Sequence, residues 1–472
     1  MISSYLCSIM RPVRRPLAPL LPLAICLATG IAVGQWYPLP WMVLPPAIAV
    51  TLLTGRWPMV QSLGLWGCFL LLGMVVSPKE LSERMPDGCW AEAVVMSEPV
   101  EKPKTMMADL LLPQTGERRR CYFWKDERSR QLNVGQNLLV RIHDGQFIHY
   151  ADWQPGGEAF NKISSVQRLR LRALQWRKRA MNRLGLHPHS SGEKSDAEAV
   201  LAAMVLGDKS FLTRKLRQSY ARTGASHILA LSGLHLSIIY LLLTRLMQGR
   251  RRFWLSQVLI VLSIWGFALL TGLSVSVVRA ATMLTVYALF ELGGRRHAPL
   301  GVLSFTAIIM LLADSSTLFD IGFQLSFMAM LGILLFCPLF EEWIPTKWLM
   351  EHPLVRWLYS LVSVSIAAQL GTAPLVAFHF GQFPTWFLLT NLVVIPFATA
   401  ILYVAVFTFI FPALGNILLW LVSALNSSLR LLSHLPLSCI SGLHPSFFQT
   451  AMAYVLVAVL YLSLERLHRR NQ

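Results

Sequence analysis

The feature of this sequence that most constrains its fold is a succession of long apolar runs separated by short polar segments. Only 14% of its 472 residues are charged, against about 25% in an ordinary soluble domain. Uncharged runs of this length are typical of membrane-spanning helices. The sequence therefore predicts a polytopic α-helical membrane protein with about twelve transmembrane helices, at 17–34, 39–54, 60–76, 227–246, 253–272, 274–292, 299–313, 321–340, 357–378, 386–411, 414–432 and 447–464.

Basic residues between the runs indicate how the chain is oriented. The formal net charge is +18, and the cytoplasmic loops of membrane proteins concentrate Lys and Arg. If the basic segment Met1–Pro16 stays inside, three spans leave residue 78 outside the cytoplasm. Alternation from residue 227 then places Arg250–Arg252 and Arg295–Arg296 inside. We expect both termini in the cytoplasm, N-terminal helices in 1–77, a helical domain in 197–464 and a cytoplasmic tail in 465–472.

Residues 86–163 differ in character from the rest of the chain. Short β-rich runs such as CWAEAVVM, CYFWK and NLLVRIH alternate with turn residues, which predicts a small β-barrel or sandwich outside the cytoplasm. Aromatic residues at 122–124 directly follow basic residues, a combination that suits base stacking and phosphate contact. The alternative is a strand core with one solvated edge. Cys89 and Cys121 both lie in this segment, and the sequence leaves open whether they form a disulfide or stay reduced.

Residues 164–185 carry seven basic residues and no acid. Leu174, Trp176 and other apolar residues share one face of a helical wheel, while Arg170 and Arg177 intrude on that face. The pattern predicts a basic amphipathic helix in the membrane interface. Two interpretations of its charges stay open: they bind anionic lipid, or they bind phosphate groups of a ligand. The charges on the polar side are Arg168, Arg172, Lys178, Arg179 and Arg183.

Several of the apolar runs contain polar residues. The stretch Ser219–Tyr240, SYARTGASHILALSGLHLSIIY, turns apolar at Ile228 and then carries a serine and a histidine into the run. Polar groups at membrane depth are tolerated where they face protein or a water-filled cavity, although neutral ones also join helices through hydrogen bonds. No acid stands near Arg279 in the sequence, which favours an anionic ligand, backbone carbonyls or water as its partner. The residues predicted to line a path through the membrane are His227, Ser232, His235, Arg279, Gln324, Gln369 and Asn391.

Five segments in series resemble the ComEC competence family, the inner-membrane channel for transforming DNA. The central one is TGASHILALSGLHLSII, and the others occur in the same order as in that family. They are MVLGDKS at 204–210, LTGLSVSVVRAATM at 270–283, FDIGFQLSFMAMLGI at 319–333 and AAQLGTAPLVAFHFGQFPTWFLLTNLVVIP at 367–396.

The resemblance implies that single-stranded DNA crosses the bacterial inner membrane through the helical domain. It also implies that the β-rich segment is an OB-like domain, and that a periplasmic DNA receptor, a cytoplasmic helicase-type motor and a separate nuclease assist transport. DNA would then be bound at the outer face by the basic residues of 164–185 together with Arg118, Arg119 and Arg120.

Sequence motifs for enzyme chemistry are missing. There is no GxxxxGK[ST], GxSxG or HExxH motif, and no CxxC pair. His187 and His189 begin a pattern similar to the HxHxDH ligand set of metallo-β-lactamase-fold nucleases, but Ser191 stands where that set needs Asp. We therefore expect a channel with no catalytic residue, metal or cofactor. A permease for another anionic substrate and a membrane-embedded enzyme acting on lipid-linked substrates are the alternatives.

Overall fold

The computed structural model describes residues 20–53, 57–78, 88–101, 104–116, 118–141, 147–149, 152–183, 193–247, 253–292, 299–341, 343–408 and 411–471. Its helices are α1 (Leu20–Gly34), α2 (Leu44–Leu53), α3 (Pro58–Val76), α4 (Glu127–Arg130), α5 (Ala159–Lys162), α6 (Ser165–Arg183), α7 (Glu193–Leu201), α8 (Arg214–Arg222), α9 (Ser226–Leu229), α10 (Gly233–Met247), α11 (Phe253–Leu270), α12 (Val275–Leu292), α13 (Pro299–Ala313), α14 (Ile321–Glu341), α15 (Thr346–Glu351), α16 (Pro353–Phe380), α17 (Phe387–Thr408), α18 (Gly415–Ser433) and α19 (Phe447–Asn471). Its strands are β1 (Trp90–Val95), β2 (Val100–Glu101), β3 (Thr105–Leu111), β4 (Arg118–Trp124), β5 (Asn137–Arg141), β6 (Phe147–Ile148), β7 (Trp153–Pro155), β8 (Gln382–Pro384) and β9 (Cys439–Ser441).

The apolar runs fold as helices, and seven helical segments are long and apolar enough to cross a membrane. These seven are Pro58–Val76, Val275–Leu292, Ile321–Glu341, Pro353–Phe380, Phe387–Thr408, Pro412–Ser433 and Phe447–Leu467. The described residues hold five shorter apolar helices of 10–17 residues, below the roughly 20 residues that span a bilayer at 1.5 Å per residue. The basic loops used to orient the chain, Arg250–Arg252 and Arg295–Arg296, lie outside the described residues.

Glycines let two pairs of apolar helices approach backbone to backbone. A Cβ added at Gly371 of α16 would lie 2.1 Å from the carbonyl oxygen of Met328 in α14. Conversely, a Cβ at Gly332 of α14 would lie 2.4 Å from the carbonyl oxygen of Ala367 in α16. Gly30 of α1 makes the same kind of approach to α3. Small residues at such crossings are typical of helix packing in membranes.

One break in the helical domain lies among the small residues before α10, whereas two prolines leave their helices continuous. Pro374 lies inside the continuous helix α16, and Pro396 lies inside α17. Neighbouring helices can satisfy the backbone groups that a proline frees, so proline alone does not end a membrane helix. The run predicted as one span from residue 227 is instead interrupted at 230–232, and α10 therefore begins only at Gly233.

The β-rich segment folds as a small separate β domain, formed by β1–β7. The strand order is β6-β4-β3-β1-β5-β7, with β2 paired to β3. All described pairs are antiparallel except β4 with β6. β6 and β7 stand at opposite ends of this order but are separated in sequence only by 149–152, so the sheet must be curved for a connection this short to join them. Phe123 and Trp153 lie in its core, with ring centroids 5.3 Å apart.

The basic helix α6 packs between the β domain and the helical domain. Leu171 lies in an apolar cluster with Val94 and Leu111 of the β domain. Ala180 and Met181, three turns further along, lie in the largest core cluster of the helical domain. The predicted apolar face of α6 is therefore divided, because Leu174 and Met181 are buried against protein whereas Leu169 and Trp176 remain exposed. Periodicity predicts that a helix has an apolar face, but it does not say what covers that face.

Candidate functional site

Three of the motif segments meet at one junction beside α6. At Gly207, where φ is +76°, an added Cβ would lie 2.6 Å from Leu231 Cδ1 and 3.5 Å from the Thr271 carbonyl oxygen. At Gly272, where φ is +77°, it would lie 2.6 Å from Leu174 Cδ2 of α6. Glycine is favoured at both positions because the positive φ would strain any other residue, and an added Cβ would also require a leucine methyl group to move. We call these five residues the junction.

Arg177 of α6 inserts its charge beside the junction. Its Nη2 lies 3.3 Å from Glu98 Oε2 and 4.0 Å from Asp208 Oδ2, and its Nη1 donates to the Gly207 carbonyl oxygen at 3.5 Å. Asp208 Oδ1 also accepts from the backbone N–H and the hydroxyl of Ser210, at 2.9 and 2.6 Å. Glu98 belongs to the β1–β2 connection. The cluster thus ties the β domain, α6 and the helical domain together, which explains the charge predicted to intrude on the apolar face of α6.

The cluster of Arg177, Glu98 and Asp208 should depend on pH because of Glu98. Burial, followed by its hydrogen bond with Asp208, raises the pKa of Glu98 from 4.5 to about 7, although Arg177 opposes the shift. The folded protein therefore holds this proton more tightly than the unfolded chain does. Its contribution is fully present below pH 4.5 and is lost as the pH rises through 7.

We expect Glu98→Gln to flatten the fall in stability between pH 5 and pH 8. The fall that Glu98 causes is at most about 3 kcal/mol for a shift of this size. The measurement is the unfolding midpoint of the purified protein in detergent across that pH range. Glu127→Gln, which neutralises an exposed carboxyl group of the same β domain, is the matched control and should keep the wild-type slope. A Glu98→Gln slope equal to that of the wild type would contradict the prediction.

Ser232 and His235 close the break before α10. The backbone N–H of Ser232 donates to His235 Nδ1 at 3.3 Å, and the Ser232 hydroxyl lies 3.1 Å from the same nitrogen. Because Ser232 directly precedes the first residue of α10, the pair serves as an N-terminal cap. His235 is fully buried, and among the described residues its Nε2 has no hydrogen-bond partner. The spacing of these two residues is thus that of a helix cap.

Arg279 is buried in α12 and pairs with an acid that is distant in sequence. Its Nη1 lies 3.3 Å from Asp320 Oδ1, and its Nη2 donates to the Gly322 carbonyl oxygen at 2.9 Å and the Ser276 hydroxyl at 3.1 Å. Asp320 Oδ1 also accepts from the backbone N–H of Phe323 at 2.8 Å and so caps α14. The sequence-based expectation of a ligand, carbonyls or water overlooked this acid. Arg279 clamps α12 to the start of α14.

Two other predicted path residues join helices. Gln324 Nε2 donates to the Leu318 carbonyl oxygen at 3.0 Å, and its Oε1 lies 3.3 Å from His379 Nε2 of α16. Asn391 Nδ2 of α17 donates to the Ser365 hydroxyl of α16 at 3.3 Å. Both contacts fit the interpretation of neutral polar residues as interhelical hydrogen-bonding groups.

The remaining predicted path residues are less constrained. His227 lies on an exposed turn of α9, where its Nδ1 is 3.0 Å from the Gly224 carbonyl oxygen. Gln369 is half-buried in α16. The structure therefore distributes the predicted path residues over separate contacts, and a transport role for them stays a prediction.

The basic residues of α6 differ in exposure. Arg172, Lys178 and Arg179 are exposed, whereas Arg168 is partly buried. The side chain of Arg183 lies outside the described part of the chain. The predicted polar side of α6 thus offers at least three accessible cations.

The residues of strand β4 alternate between the two faces of the sheet. Cys121 and Phe123 are buried in the β-domain core, so Phe123 cannot stack on a base as the sequence suggested. Arg120, Tyr122 and Trp124 alternate with them and point away from the core. Arg120 Nε lies 3.0 Å from Asp109 Oδ1, and Trp124 stacks on His149 with centroids 6.1 Å apart. Arg119 is half-buried, and the side chain of Arg118 lies outside the described residues.

Cys89 and Cys121 are not joined by a disulfide, and the first is exposed whereas the second is buried. Cys121 pairs with Ala108 on β3, whereas Cys89 precedes the far end of β1, where Trp90 pairs with Arg141. A strand advances about 3.3 Å per residue, and a disulfide needs Cα atoms within about 7 Å. The disulfide considered from the sequence is therefore not formed in the structure.

Sequence reasoning missed the acidic partners Glu98, Asp208 and Asp320. Each pairs with an arginine more than thirty residues away, so no local pattern reveals the pair. The only signal was that Asp208 and Asp320 lie inside the segments MVLGDKS and FDIGFQLSF. Among the described residues, no group of three or more His, Cys, Asp or Glu could hold a metal ion.

Comparison with known proteins identifies the helical domain. ComE operon protein 3 of Bacillus subtilis (strain 168) is 28% identical over 260 residues, covering 54% of this chain and 30% of that protein. Recombination protein 2 of Haemophilus influenzae (strain ATCC 51907 / DSM 11121 / KW20 / Rd) is 26% identical over 245 residues, covering 50% and 30%. An uncharacterized protein of Aquifex aeolicus (strain VF5) is 34% identical over 180 residues, covering 38% and 40%.

The chain spans less than half the length of these relatives, and no solved structure matches it. The family model described as Competence protein matches residues 204–467, more than half of the chain. That range includes the glycines of the junction, the capped break at Ser232 and the Arg279 clamp. The chain therefore belongs to the competence protein family.

Proposed function

We propose that this protein admits single-stranded DNA across the cytoplasmic membrane of a bacterium during natural transformation. The observation that carries the proposal is its membership of the competence family, whose motif segments form the junction. The names of two relatives, ComE operon protein 3 and Recombination protein 2, agree with a role in handling DNA. The junction also supports it, because Arg177 holds an exposed basic helix and the β domain against the helical domain.

A twelve-span arrangement with both termini in the cytoplasm is part of the proposal. It counts the five shorter apolar helices as spans around which the bilayer is locally thinner. Contacts between distant segments support this arrangement. Residues that the alternation of spans places near the outer side of the membrane contact one another. Arg177 with Asp208, Arg279 with Asp320 and Gln324 with His379 all lie near predicted outer ends. One pair near predicted inner ends, Gln257 with Glu291, also agrees.

We further propose that the β domain is an OB-type module that receives the strand. Its first three long strands are β1, β3 and β4. β5 returns to pair with β1, β6 pairs with β4, and β7 pairs with β5. In OB folds the second and third strands carry much of the nucleic-acid surface, and aromatic rings stack on bases. Here those strands would be β3 and β4, and Tyr122 and Trp124 lie on their outward face.

No catalytic step is assigned to this chain. Transport direction would come from a helicase-type motor in the cytoplasm, the strand would be delivered by a periplasmic receptor, and a separate nuclease would degrade the other strand.

Deletion of the gene tests the function directly. We expect labelled DNA to be captured at the cell surface but not to reach the cytoplasm, and transformants to disappear. The measurement is DNase-protected label together with transformation frequency, with the gene restored from a plasmid as the control. A normal transformation frequency in the deletion strain would overturn the proposal.

A further inference from the structure

A second basic surface lies beside the junction and has not been assigned a role above. Residues 209–222 contain five basic residues and no acid. Lys209, Arg214, Lys215 and Arg217 are exposed, and none forms an ion pair with a carboxylate in the described part of the chain. We call these four residues the α8 surface.

The charges of the α8 surface reinforce one another. Arg217 Nη2 donates to the Lys209 carbonyl oxygen at 2.6 Å, which holds the two cations close together. Crowding by protein, followed by the charge of Arg217, lowers the pKa of Lys209. Arg214 and Lys215 occupy the first turn of α8, where the helix dipole disfavours cations. An anion placed here would be attracted by the side chains and by the helix end, and it would relieve the repulsion among the cations.

The other side of α8 shows that this surface does not serve to insert the helix in lipid. Leu216 and Tyr220 are buried in the core of the helical domain, and the Tyr220 hydroxyl donates to Asn426 Oδ1 of α18 at 2.7 Å. A helix that lies in the membrane interface needs an exposed apolar face, and α8 has no such face. Its exposed face therefore suits a soluble polyanion better than a bilayer surface.

The α8 surface begins next to the basic helix α6. Lys209 follows Asp208, which is paired with Arg177 of α6, while Lys178 and Arg179 are the next two exposed cations of α6. Arg214 and Arg217 are three residues apart on α8, about 5–6 Å between Cβ atoms, so they can contact neighbouring phosphates of one strand. α8 then leads through Gly224 to the break at Ser232.

We propose that the α8 surface is a second polynucleotide-binding site, which takes the phosphate backbone of the strand after α6 and before the helical bundle. This inference rests on the proposed function, since it assumes that the transported polyanion is a nucleic acid.

The test compares salt-dependent binding of a labelled single-stranded oligonucleotide to the full chain in zwitterionic nanodiscs. The variant is Lys209→Gln/Arg214→Gln/Lys215→Gln, which leaves Arg217 to hold the loop. Each lost phosphate contact flattens the slope of log affinity against log salt by about 0.7, so we expect a change of about 2. The matched control is Lys347→Gln/Arg356→Gln/Arg466→Gln, which removes the same charge on the predicted cytoplasmic side and should keep the wild-type slope.

A second measurement locates the strand independently of affinity. Gln218, exposed between the cations of α8, is replaced by Cys and tested for disulfide cross-linking to a thiol-modified oligonucleotide. We expect cross-linking there and none from Glu351→Cys, an exposed position on the predicted cytoplasmic side. An unchanged slope with no cross-link, while the wild type binds, overturns this inference alone. A slope change seen only in anionic nanodiscs assigns the surface to lipid and also overturns it. No binding by the wild type overturns the proposed function as well.

Discussion

Arg279→Leu should destabilise the folded protein by about 2–3 kcal/mol and abolish transport as a consequence. The Arg279 side chain is buried, and it donates to Asp320, Gly322 and Ser276. Breaking a buried ion pair by removing one partner costs about 3–5 kcal/mol, because the other charge is left without compensation. The side chain of Asp320 is 48% exposed, so water can solvate part of the stranded charge and the cost falls below that range.

A double-mutant cycle with Asp320→Asn separates a structural role from a direct role in transport. Asn can still accept from the Phe323 backbone N–H and cap α14, so Asp320→Asn should be mild. In the Arg279→Leu/Asp320→Asn variant the stranded charge is absent, and we expect unfolding in detergent to show a coupling of about 1 kcal/mol or more between the two sites. If Arg279→Leu is as stable as the wild type but transports no DNA, the clamp is not its role and Arg279 acts on the strand itself.

Gly371→Ala should have a comparable effect by a purely steric route. The added Cβ would lie 2.1 Å from the Met328 carbonyl oxygen, so α14 and α16 must move apart. The Tyr454 hydroxyl of α19 donates to the Gly371 carbonyl oxygen at 2.9 Å, and this contact would be displaced as well. Overpacking of a tight interior costs about 1–3 kcal/mol, and the upper end applies here because rigid backbone, not a flexible side chain, blocks the methyl group.

The matched control is the same substitution at Gly266 of α11, where an added Cβ meets nothing within 4 Å. Ala is a better helix former than Gly by up to about 1 kcal/mol, so Gly266→Ala should leave the unfolding midpoint unchanged or raise it. The two variants are compared by thermal unfolding in detergent and by the amount of protein inserted in the membrane. Equal stability of both variants would show that the α14–α16 crossing is loose.

The features that could be predicted from the sequence are those that depend on residues close together along the chain. The apolar runs gave the helices to within a few residues, as at Phe253–Leu270, because hydropathy acts locally. The alternation in CYFWK gave a strand, and the density of Arg in 164–185 gave a basic helix. The motif segments were sufficient to identify the family.

Only the tertiary structure decided which residues these elements bring together. The apolar face of α6 looked free for lipid along its whole length, yet Leu174 and Met181 are buried against protein and only Leu169 and Trp176 of its described residues are exposed. Arg279 looked unpaired because Asp320 is far away in sequence. Pairing of buried charges depends on which helix ends meet, and that is set by crossings such as Gly332 against Gly371, where packing and not periodicity fixes the geometry. The sequence by itself thus determined the elements and the family, whereas the junction exists only because packing places distant segments side by side.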